Sequence, residues 1–169
     1  MQFTLRPWQR SDLESLVRHA DNYNIAKFMS DQFPHPYTEA SGRNFIAFAT
    51  KDDPVHIFAI DVNGQAVGGI GIHPQGDIMK RNAELGYWLA EEYWGRGIIS
   101  AAIPQMVEFA FKTYAIDRVF ARPFHTNTAS QRVLEKNGFV LEARISGVIE
   151  KFGERLDELF YAVRRPLAS

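Results

Sequence analysis

The stretch YWGRGIIS, residues 93–100, separates a predicted strand from a predicted helix. Residues 82–90 before it form an aromatic and aliphatic run typical of a buried strand, and residues 101–114 after it carry apolar side chains at helical spacing. A glycine turn that opens a helix exposes unpaired backbone N–H groups at the positive end of the helix dipole, where phosphate and other anions bind. A tight turn in which Gly95 and Gly97 provide positive φ would explain the same residues. Two glycines one residue apart leave both interpretations open.

Length and composition predict a single folded domain, residues 1–169. A chain of this length can bury a substantial core without staples, and 46% hydrophobic residues argue against disorder. The formal net charge is −1 and no run of Lys and Arg occurs, so the sequence provides no positive electrostatic field that would attract nucleic acid. No apolar run approaches the ~20 residues needed to cross a bilayer, and the polar N-terminus is unlike a signal peptide. We therefore expect a cytoplasmic protein with no membrane partner.

The sequence contains no cysteine. This excludes disulfides, thiolate metal sites and a cysteine nucleophile. Any group transfer must therefore use another nucleophile or pass directly from donor to acceptor. The histidines at positions 35, 56, 73 and 125 show no spacing typical of metal ligands, so no metal site is predicted.

Two hairpins are predicted from turn residues. The β-rich runs 55–61 and 66–73 flank Asn63-Gly64, and Asn-Gly between alternating runs is a strong hairpin signal. The segment from Phe139 onward gives two more strands around a turn near residues 152–154.

Helix ends are predicted from capping residues. Ser11 with Glu14, and separately Thr38, fit helix N-caps, and Gly138 fits the left-handed residue past a helix C-terminus. The predicted order is strand, two helices, three strands, helix, strand, helix and two strands. This order indicates a mixed α/β sheet with helices on its faces.

Three blocks of sequence, in this element order, resemble the GCN5-related N-acetyltransferase (GNAT) superfamily, and in particular its RimJ/RimL-like branch. They are AELGYWL at 83–89, YWGRG at 93–97, and NTAS at 127–130 continuing to KNGF at 136–139. The likeness spans nearly the whole chain. It implies the GNAT fold, an α/β (α+β) domain with a mixed, mostly antiparallel sheet of about seven strands. About four helices flank that sheet, which is splayed at its fourth and fifth strands.

The sequence departs from the superfamily pattern at four positions. Trp94 stands where the pattern Gln/Arg-x-x-Gly-x-Gly/Ala begins, although Trp is familiar there in the RimJ/RimL branch, and the bulky Ile99 stands where the pattern ends. Pro104 falls early in the helix, where it would remove a backbone bond or delay the helix start. Leu134 occupies the position at which many members carry a tyrosine proton donor.

The resemblance implies acetyl-coenzyme A as donor and a primary amine as acceptor, joined in a ternary complex without an acetyl-enzyme. A protein N-terminal α-amine and a small-molecule amine are both open as acceptors, and both a monomer and a homodimer are open. One alternative is a catalytically weak domain that binds coenzyme A as a sensor. Ile99 and Leu134 are the residues that support this alternative.

The resemblance also implies how the cofactor is held. Backbone N–H groups of residues 95–100 would hold the pyrophosphate, and the backbone N–H of Leu89 would polarise the thioester carbonyl. For Ser100 and Asn127 an ordinary helix N-cap is the alternative interpretation. The residues implied for cofactor binding are Trp88, Leu89, Trp94, Gly95, Arg96, Gly97, Ile98, Ile99, Ser100, Asn127, Ser130 and Arg132.

Glu84 matches the strand glutamate that serves as general base in several members of the superfamily. Its alternative roles are a solvent-facing residue or an ion pair with Arg81 or Arg122. Ser130 stands at the position where RimL-type enzymes carry a serine that is proposed to protonate the leaving thiolate. A serine on the helix surface with no catalytic role is the alternative. The residues implied for acceptor binding are Phe28, Phe33, Tyr37, Tyr87 and Glu150. Aromatic residues such as Phe28, Phe33 and Tyr37 are more often part of a core than of a pocket.

Two other nucleotide-binding patterns fail. Gly69-Ile70-Gly71 lacks the third glycine of a dinucleotide-binding motif, is followed by Pro74, and continues as a strand rather than opening a helix. A P-loop is excluded because no Gly-Lys-Ser/Thr occurs.

Overall fold

A computed structural model describes residues 1–166 of the chain. These residues form seven β-strands and five α-helices, with short 3-10 turns at Arg10–Asp12, Asp77–Met79 and Glu91–Tyr93. The elements, in chain order, are β1 Thr4–Pro7, α1 Leu13–Ala20, α2 Tyr23–Ala26, α3 Glu39–Ala49, β2 Ile57–Val62, β3 Gln65–Pro74, β4 Asn82–Leu89, α4 Ile98–Thr113, β5 Arg118–Ala121, α5 Thr128–Lys136, β6 Val140–Lys151 and β7 Glu154–Arg164. The short helix α2 makes five helices, where about four were expected.

The strands form one seven-stranded sheet in the order β1-β2-β3-β4-β5-β7-β6. β4 and β5 are parallel, whereas β1–β2, β2–β3, β5–β7 and β6–β7 are antiparallel. The β4–β5 ladder runs from Asn82↔Arg118 to Glu84↔Phe120, and β4 continues beyond it to Leu89. The predicted mixed, mostly antiparallel sheet is confirmed, and its fourth and fifth strands pair over their first residues only.

The chain divides into two compact units. Residues 1–71 and 87–99 form the first, and residues 72–86 with those from Ser100 onward form the second. A single domain over residues 1–169 stays a prediction. Among the described residues, no helix is both long enough and apolar enough to cross a membrane.

The first unit has a core built around two tryptophans. Trp8 and Trp88 are 3% and 7% exposed and belong to one cluster of buried residues with Leu16, Ile46 and Ile57. The second unit buries Ile103 and Met106 of α4, Val119 of β5, Leu134 of α5 and Tyr161 of β7. Because each of these elements contributes an apolar face, the helices are held by packing rather than by intrinsic propensity.

Close backbone approach explains Gly68 in β3. A Cβ at this position would lie 2.5 Å from the carbonyl oxygen of Trp88 and 3.1 Å from the Cα of Leu89. Both contacts are with backbone, which cannot yield as a flexible side chain can. Glycine is therefore required here for space rather than for its φ.

Gly68→Ala should lower the free energy of unfolding by about 3 kcal/mol, the upper end of the usual cost of overpacking, because backbone must shift. Urea denaturation measures this change. Gly76→Ala is the matched control, since a Cβ at Gly76 meets no atom within 4 Å and its φ of −107° suits alanine. We expect the control to stay within about 0.5 kcal/mol of wild type. Equal stabilities of the two variants would contradict the close approach.

Most predicted turns and caps are confirmed. Asn63 and Gly64 have φ values of 53° and 83°, which is the conformation of a two-residue hairpin turn. Thr38 caps α3 by accepting a hydrogen bond from the Ser41 N–H, and Gly138 has a φ of 82°. The β6–β7 turn falls at residues 152–153, as predicted.

The prediction that Ser11 is the N-cap of the first helix is wrong. Ser11 lies inside the first 3-10 turn, and the carboxylate of Asp12 accepts the backbone N–H of Gln9 at 2.8 Å. Arg6 holds that carboxylate in place through contacts of 2.8 and 2.9 Å. The ion pair therefore holds the 3-10 turn that precedes α1, where Ser11 was predicted to act as the cap.

Candidate active site

The glycine turn between β4 and α4 adopts the conformation that its sequence predicts. Gly95 and Gly97 have φ values of 72° and 76°. A Cβ at either glycine would meet no atom within 4 Å, so the surface of the turn is open. Because α4 begins at Ile98, the first N–H groups of a 16-residue helix follow this open turn directly. Such groups have no acceptor within their helix and can bind an anion.

The start of α4 decides between the alternatives that the sequence left open for Ser100 and Pro104. Ser100 lies within the first turn of the helix, not before it, so its interpretation as an N-cap is wrong. Pro104 lies inside α4 and does not delay the helix start. It has no N–H to donate to the carbonyl of Ser100, four residues earlier.

Trp94 connects the glycine turn to the end of β4. Its indole Nε1–H donates to the carbonyl oxygen of Leu89 at 2.8 Å. The next residue, Ala90, donates its backbone N–H to Val67 on β3 at 2.8 Å. Trp94, one of the residues that depart from the superfamily pattern, thus fixes the glycine turn against the end of β4. No signal in the sequence indicated this contact.

The 3-10 turn before the glycine turn is held by side chains from the α1–α2 region. The carboxylate of Glu91 accepts hydrogen bonds from Asn22 at 2.7 Å and from Asn24 at 3.1 and 3.2 Å. Glu92 lies 3.2 Å from Nδ1 of the buried His19. These contacts were also not predicted, because their partners are far apart in sequence.

Arg96 stacks on its neighbour in the turn. Its guanidinium lies 5.6 Å from the ring centre of Tyr93, which in turn makes an edge contact with the His19 ring at 6.2 Å. The predicted cofactor residue Arg96 is thereby kept beside the open turn, with its side chain exposed.

His19 should make the stability of the protein sensitive to mild acid. Burial, and then the neighbouring Arg18, lower the pKa of His19, and Glu92 opposes them. The unfolded imidazole, with a pKa near 6.5, therefore binds protons that the folded one does not. Its stabilising effect is complete above pH ~6.5 and is lost as the pH falls below that value.

We expect wild type to lose more stability between pH 7.5 and pH 5.5 than His19→Gln does. The difference in slope can reach about 1.4 kcal/mol per pH unit for one proton. Urea denaturation of both proteins across this range measures it. Parallel curves for the two proteins would show that His19 titrates equally in both states.

Glu84 lies on β4 opposite Phe120 of β5 and is half-buried rather than enclosed. Its carboxylate pairs with Arg122 at 3.1 and 3.2 Å. The same guanidinium lies 3.3 Å from Glu158, so a cation bridges two carboxylates. One alternative for Glu84, the ion pair with Arg122, is therefore present. Arg81, the other partner considered, pairs with Asp117 at 2.7 Å.

Asn127 is the N-cap of α5, since its side-chain oxygen accepts the Ser130 N–H at 3.2 Å. This confirms the capping interpretation, while its contact with the cofactor stays a prediction. Ser130 is half-buried and Arg132 is exposed on the same helix. Leu134 is fully buried, so the position that often carries the tyrosine donor belongs to the core.

The predicted acceptor residues have different environments. Tyr37 is buried, and burial raises the pKa of its hydroxyl to about 12. Phe33 packs between Tyr37 and Trp88, with ring centres 5.1 and 5.6 Å apart. Tyr37 thus belongs to the core of the first unit, and Phe33 is partly buried against that core. Phe28 and Tyr87 are half-buried, and Glu150 is exposed on β6 in the second unit.

The side chains of Trp88 and Leu89 are buried, so the predicted contact of these two residues with the cofactor is possible through their backbone only. Among the described residues, no group of three His, Asp or Glu side chains could hold a metal ion.

The family model described as the acetyltransferase (GNAT) domain matches residues 2–140. The chain belongs to the GNAT acetyltransferase domain family. The match includes the glycine turn, Glu84 and Asn127, whereas Glu150 and Glu158 lie beyond its end. The predicted family and its RimJ/RimL-like branch are confirmed.

GNAT relatives occur in Bacillus subtilis and Escherichia coli. YdaF of Bacillus subtilis (strain 168) is 33% identical over 101 residues, which cover 60% of the chain and 55% of YdaF. The ribosomal-protein-serine acetyltransferase of Escherichia coli (strain K12) is 34% identical over 64 residues, 38% of the chain and 36% of that protein. The match to YdaF thus spans little more than half of that relative's length.

Solved GNAT structures share the fold along the chain. MccE, the microcin C7 self-immunity acetyltransferase in complex with acetyl-CoA and AMP, has a TM-score of 0.84 at 21% identity, covering 97% of the chain and 93% of MccE. RimJ of Mycobacterium smegmatis, in complex with CoA-disulfide, has a TM-score of 0.79 at 25% identity, covering 96% and 81%. The expected GNAT fold is therefore confirmed.

Proposed function

We propose that the chain is an N-acetyltransferase that moves an acetyl group from acetyl-CoA directly to a primary amine. The observation that carries the proposal is the open glycine turn at the start of α4 in a GNAT domain. An anion binds there through backbone N–H groups and the helix dipole. The cofactor's diphosphate has the charge and the oxygen acceptors that such a turn suits.

The backbone of residues 95–100 binds the diphosphate, and the backbone N–H of Leu89 donates to the thioester carbonyl. Bound acetyl-CoA supplies a thioester as the acyl donor. The hydrogen bond from Trp94 to the Leu89 carbonyl supports this arrangement, because it joins the two cofactor-binding segments in one rigid piece. The further contacts that we propose involve Trp88, Arg96, Asn127, Ser130 and Arg132.

Transfer requires the amine to be free of its extra proton. An amine with a pKa near 10 is mostly protonated at neutral pH and cannot attack. Glu84 takes that proton, directly or through water, and passes it to solvent. Ser130 donates its hydroxyl proton to the thiolate that leaves and recovers a proton from the attacking nitrogen as that nitrogen becomes an amide. The nitrogen–carbon bond forms as the carbon–sulfur bond breaks, so no acetyl-enzyme is needed. The lack of cysteine agrees with this direct route.

The acceptor is a protein N-terminal α-amine or a small-molecule amine. The E. coli relative named for a ribosomal-protein serine supports the first class and a cytoplasmic location. Phe28, Phe33, Tyr87 and Glu150 are the predicted acceptor residues that are not buried, while Tyr37 would support them from the core. Residues 1–169 would act as one acetyltransferase domain, as a monomer or a homodimer.

The experiment combines titration calorimetry with turnover. Acetyl-CoA and CoA are titrated into the protein, and release of free CoA thiol is then followed with a panel of amines and N-terminal peptides. Binding with acetyl transfer to at least one acceptor supports the enzyme. Binding with no transfer to any acceptor supports the alternative, a CoA-binding sensor. If neither compound binds at high protein concentration, the proposed function is overturned.

A further inference from the structure

The segment just before the glycine turn is anchored by residues that no cofactor contact would explain. Glu91 begins the 3-10 turn Glu91–Tyr93, which leads directly into Trp94 and Gly95. Its carboxylate accepts three hydrogen bonds, all from the side-chain amides of Asn22 and Asn24. These bonds hold the carboxylate of Glu91 so well that its pKa is lowered, first by Asn22 and then by Asn24.

The two asparagines are themselves ordered by the backbone. Asn22 is the N-cap of α2, and its side-chain oxygen accepts the backbone N–H of Asn24 at 2.8 Å. Its own backbone N–H donates to the carbonyl of Ala20, the last residue of α1, at 2.8 Å. The amide of Asn22 therefore presents its Nδ2 group to Glu91 from a fixed position, and the backbone of Asn24 is held beside it. We name this set of contacts, formed by Asn22, Asn24 and Glu91, the asparagine clamp.

The clamp acts on the backbone that leads into the anion site. The Trp94 N–H donates to the Glu91 carbonyl at 3.1 Å, so the residue held by the clamp also closes the 3-10 turn before Gly95. Gly95 and Gly97 are exposed, and glycine restricts a backbone little. Restraint of this stretch must therefore come largely from its neighbours. A loop that is ordered before binding loses less entropy when the ligand arrives.

We propose that Asn22 and Asn24 are positioning residues for the cofactor, acting through Glu91 to order the glycine turn. The inference rests on the proposed function. The two residues contact neither the cofactor nor the reacting atoms. They set the affinity for acetyl-CoA and leave the chemical step nearly unchanged, since Glu84 and Ser130 are not part of the clamp.

The test is the double variant Asn22→Ser with Asn24→Ala. Serine keeps an oxygen that can cap α2 but removes the amide donor, and alanine removes the other donor. We expect the Kd and KM for acetyl-CoA to rise about 3- to 10-fold, with kcat within 2-fold of wild type. Hydrogen–deuterium exchange of residues 91–97 in the free protein should become faster, while Tm stays within a few degrees of wild type.

Arg43→Ala is the matched control. It breaks an exposed pair in the same unit, between Arg43 and Glu39 at 2.8 Å on α3, and should leave Kd, KM and local exchange unchanged. An unchanged Kd in the double variant, or a fall in kcat equal to the rise in KM, would overturn the proposal that Asn22 and Asn24 are positioning residues for the cofactor. If wild type itself bound no acetyl-CoA, the proposed function would fail instead, and faster exchange alone would still show the restraint.

Discussion

Glu84→Gln should lower kcat for acetyl transfer at neutral pH by about 100-fold, with little change in the Kd for acetyl-CoA. Glutamine has nearly the same shape but cannot accept the amine's proton. The loss should shrink as the pH rises towards ~10, because a growing fraction of the amine is then already free. Initial rates from pH 6.5 to pH 9.5, with the acceptor found in the turnover screen, measure both effects.

The ion pair with Arg122 makes a control necessary. Glutamine at position 84 also removes one of the two carboxylates that Arg122 bridges. Glu158→Gln removes the other carboxylate and leaves Glu84 in place. If Glu84 is the base, the Glu158 variant should keep kcat within about 5-fold of wild type. Equal losses in the two variants would assign the effect to the bridge, and equal turnover of wild type and Glu84→Gln across the pH range would remove Glu84 from the mechanism.

The fold is predictable where a local pattern fixes the backbone. Asn63-Gly64 specified a hairpin because both residues accept positive φ, and Thr38 specified a helix start through its own hydroxyl. The start of α1 was not predictable in this way. Arg6 lies 2.7 Å from Asp61 as well as pairing with Asp12, so the turn that precedes α1 depends on a partner far along the chain. Local capping rules contain no information about such partners.

In the candidate site, too, the features set by local sequence were predictable and the long-range contacts were not. The conformation of the glycine turn followed from Gly95 and Gly97, and the resemblance to GNAT proteins indicated Glu84 and Asn127. The Trp94–Leu89 hydrogen bond and the asparagine clamp did not follow, because neither corresponds to a motif. In the clamp, Glu91 is 69 positions away from Asn22 in the sequence and 67 positions away from Asn24. Such contacts depend on how elements pack, which a single sequence does not reveal.

Gly97→Val should weaken acetyl-CoA binding by about 30-fold or more. A β-branched residue is a genuine outlier at a φ of 76°, so the turn must either stay strained or change conformation. The added side chain would meet no protein atom within 4 Å at its Cβ. It would instead fill the open surface over the turn, where the diphosphate is proposed to approach the backbone N–H groups. Titration calorimetry with acetyl-CoA measures the loss.

Strain alone could weaken binding, and Gly64→Val separates the two causes. Gly64 has a φ of 83°, lies in the β2–β3 hairpin of the same unit, and has space around it, since a Cβ there would meet no atom within 4 Å. Gly64→Val should lower the free energy of unfolding by about 1–3 kcal/mol, as Gly97→Val should. Gly64→Val should nevertheless bind acetyl-CoA as wild type does. Gly97→Asn tests the complementary case, since asparagine tolerates this φ while still placing a side chain over the turn. It should unfold much like wild type and bind acetyl-CoA weakly. If Gly97→Val bound as tightly as Gly64→Val, the backbone of this turn could not be the diphosphate site.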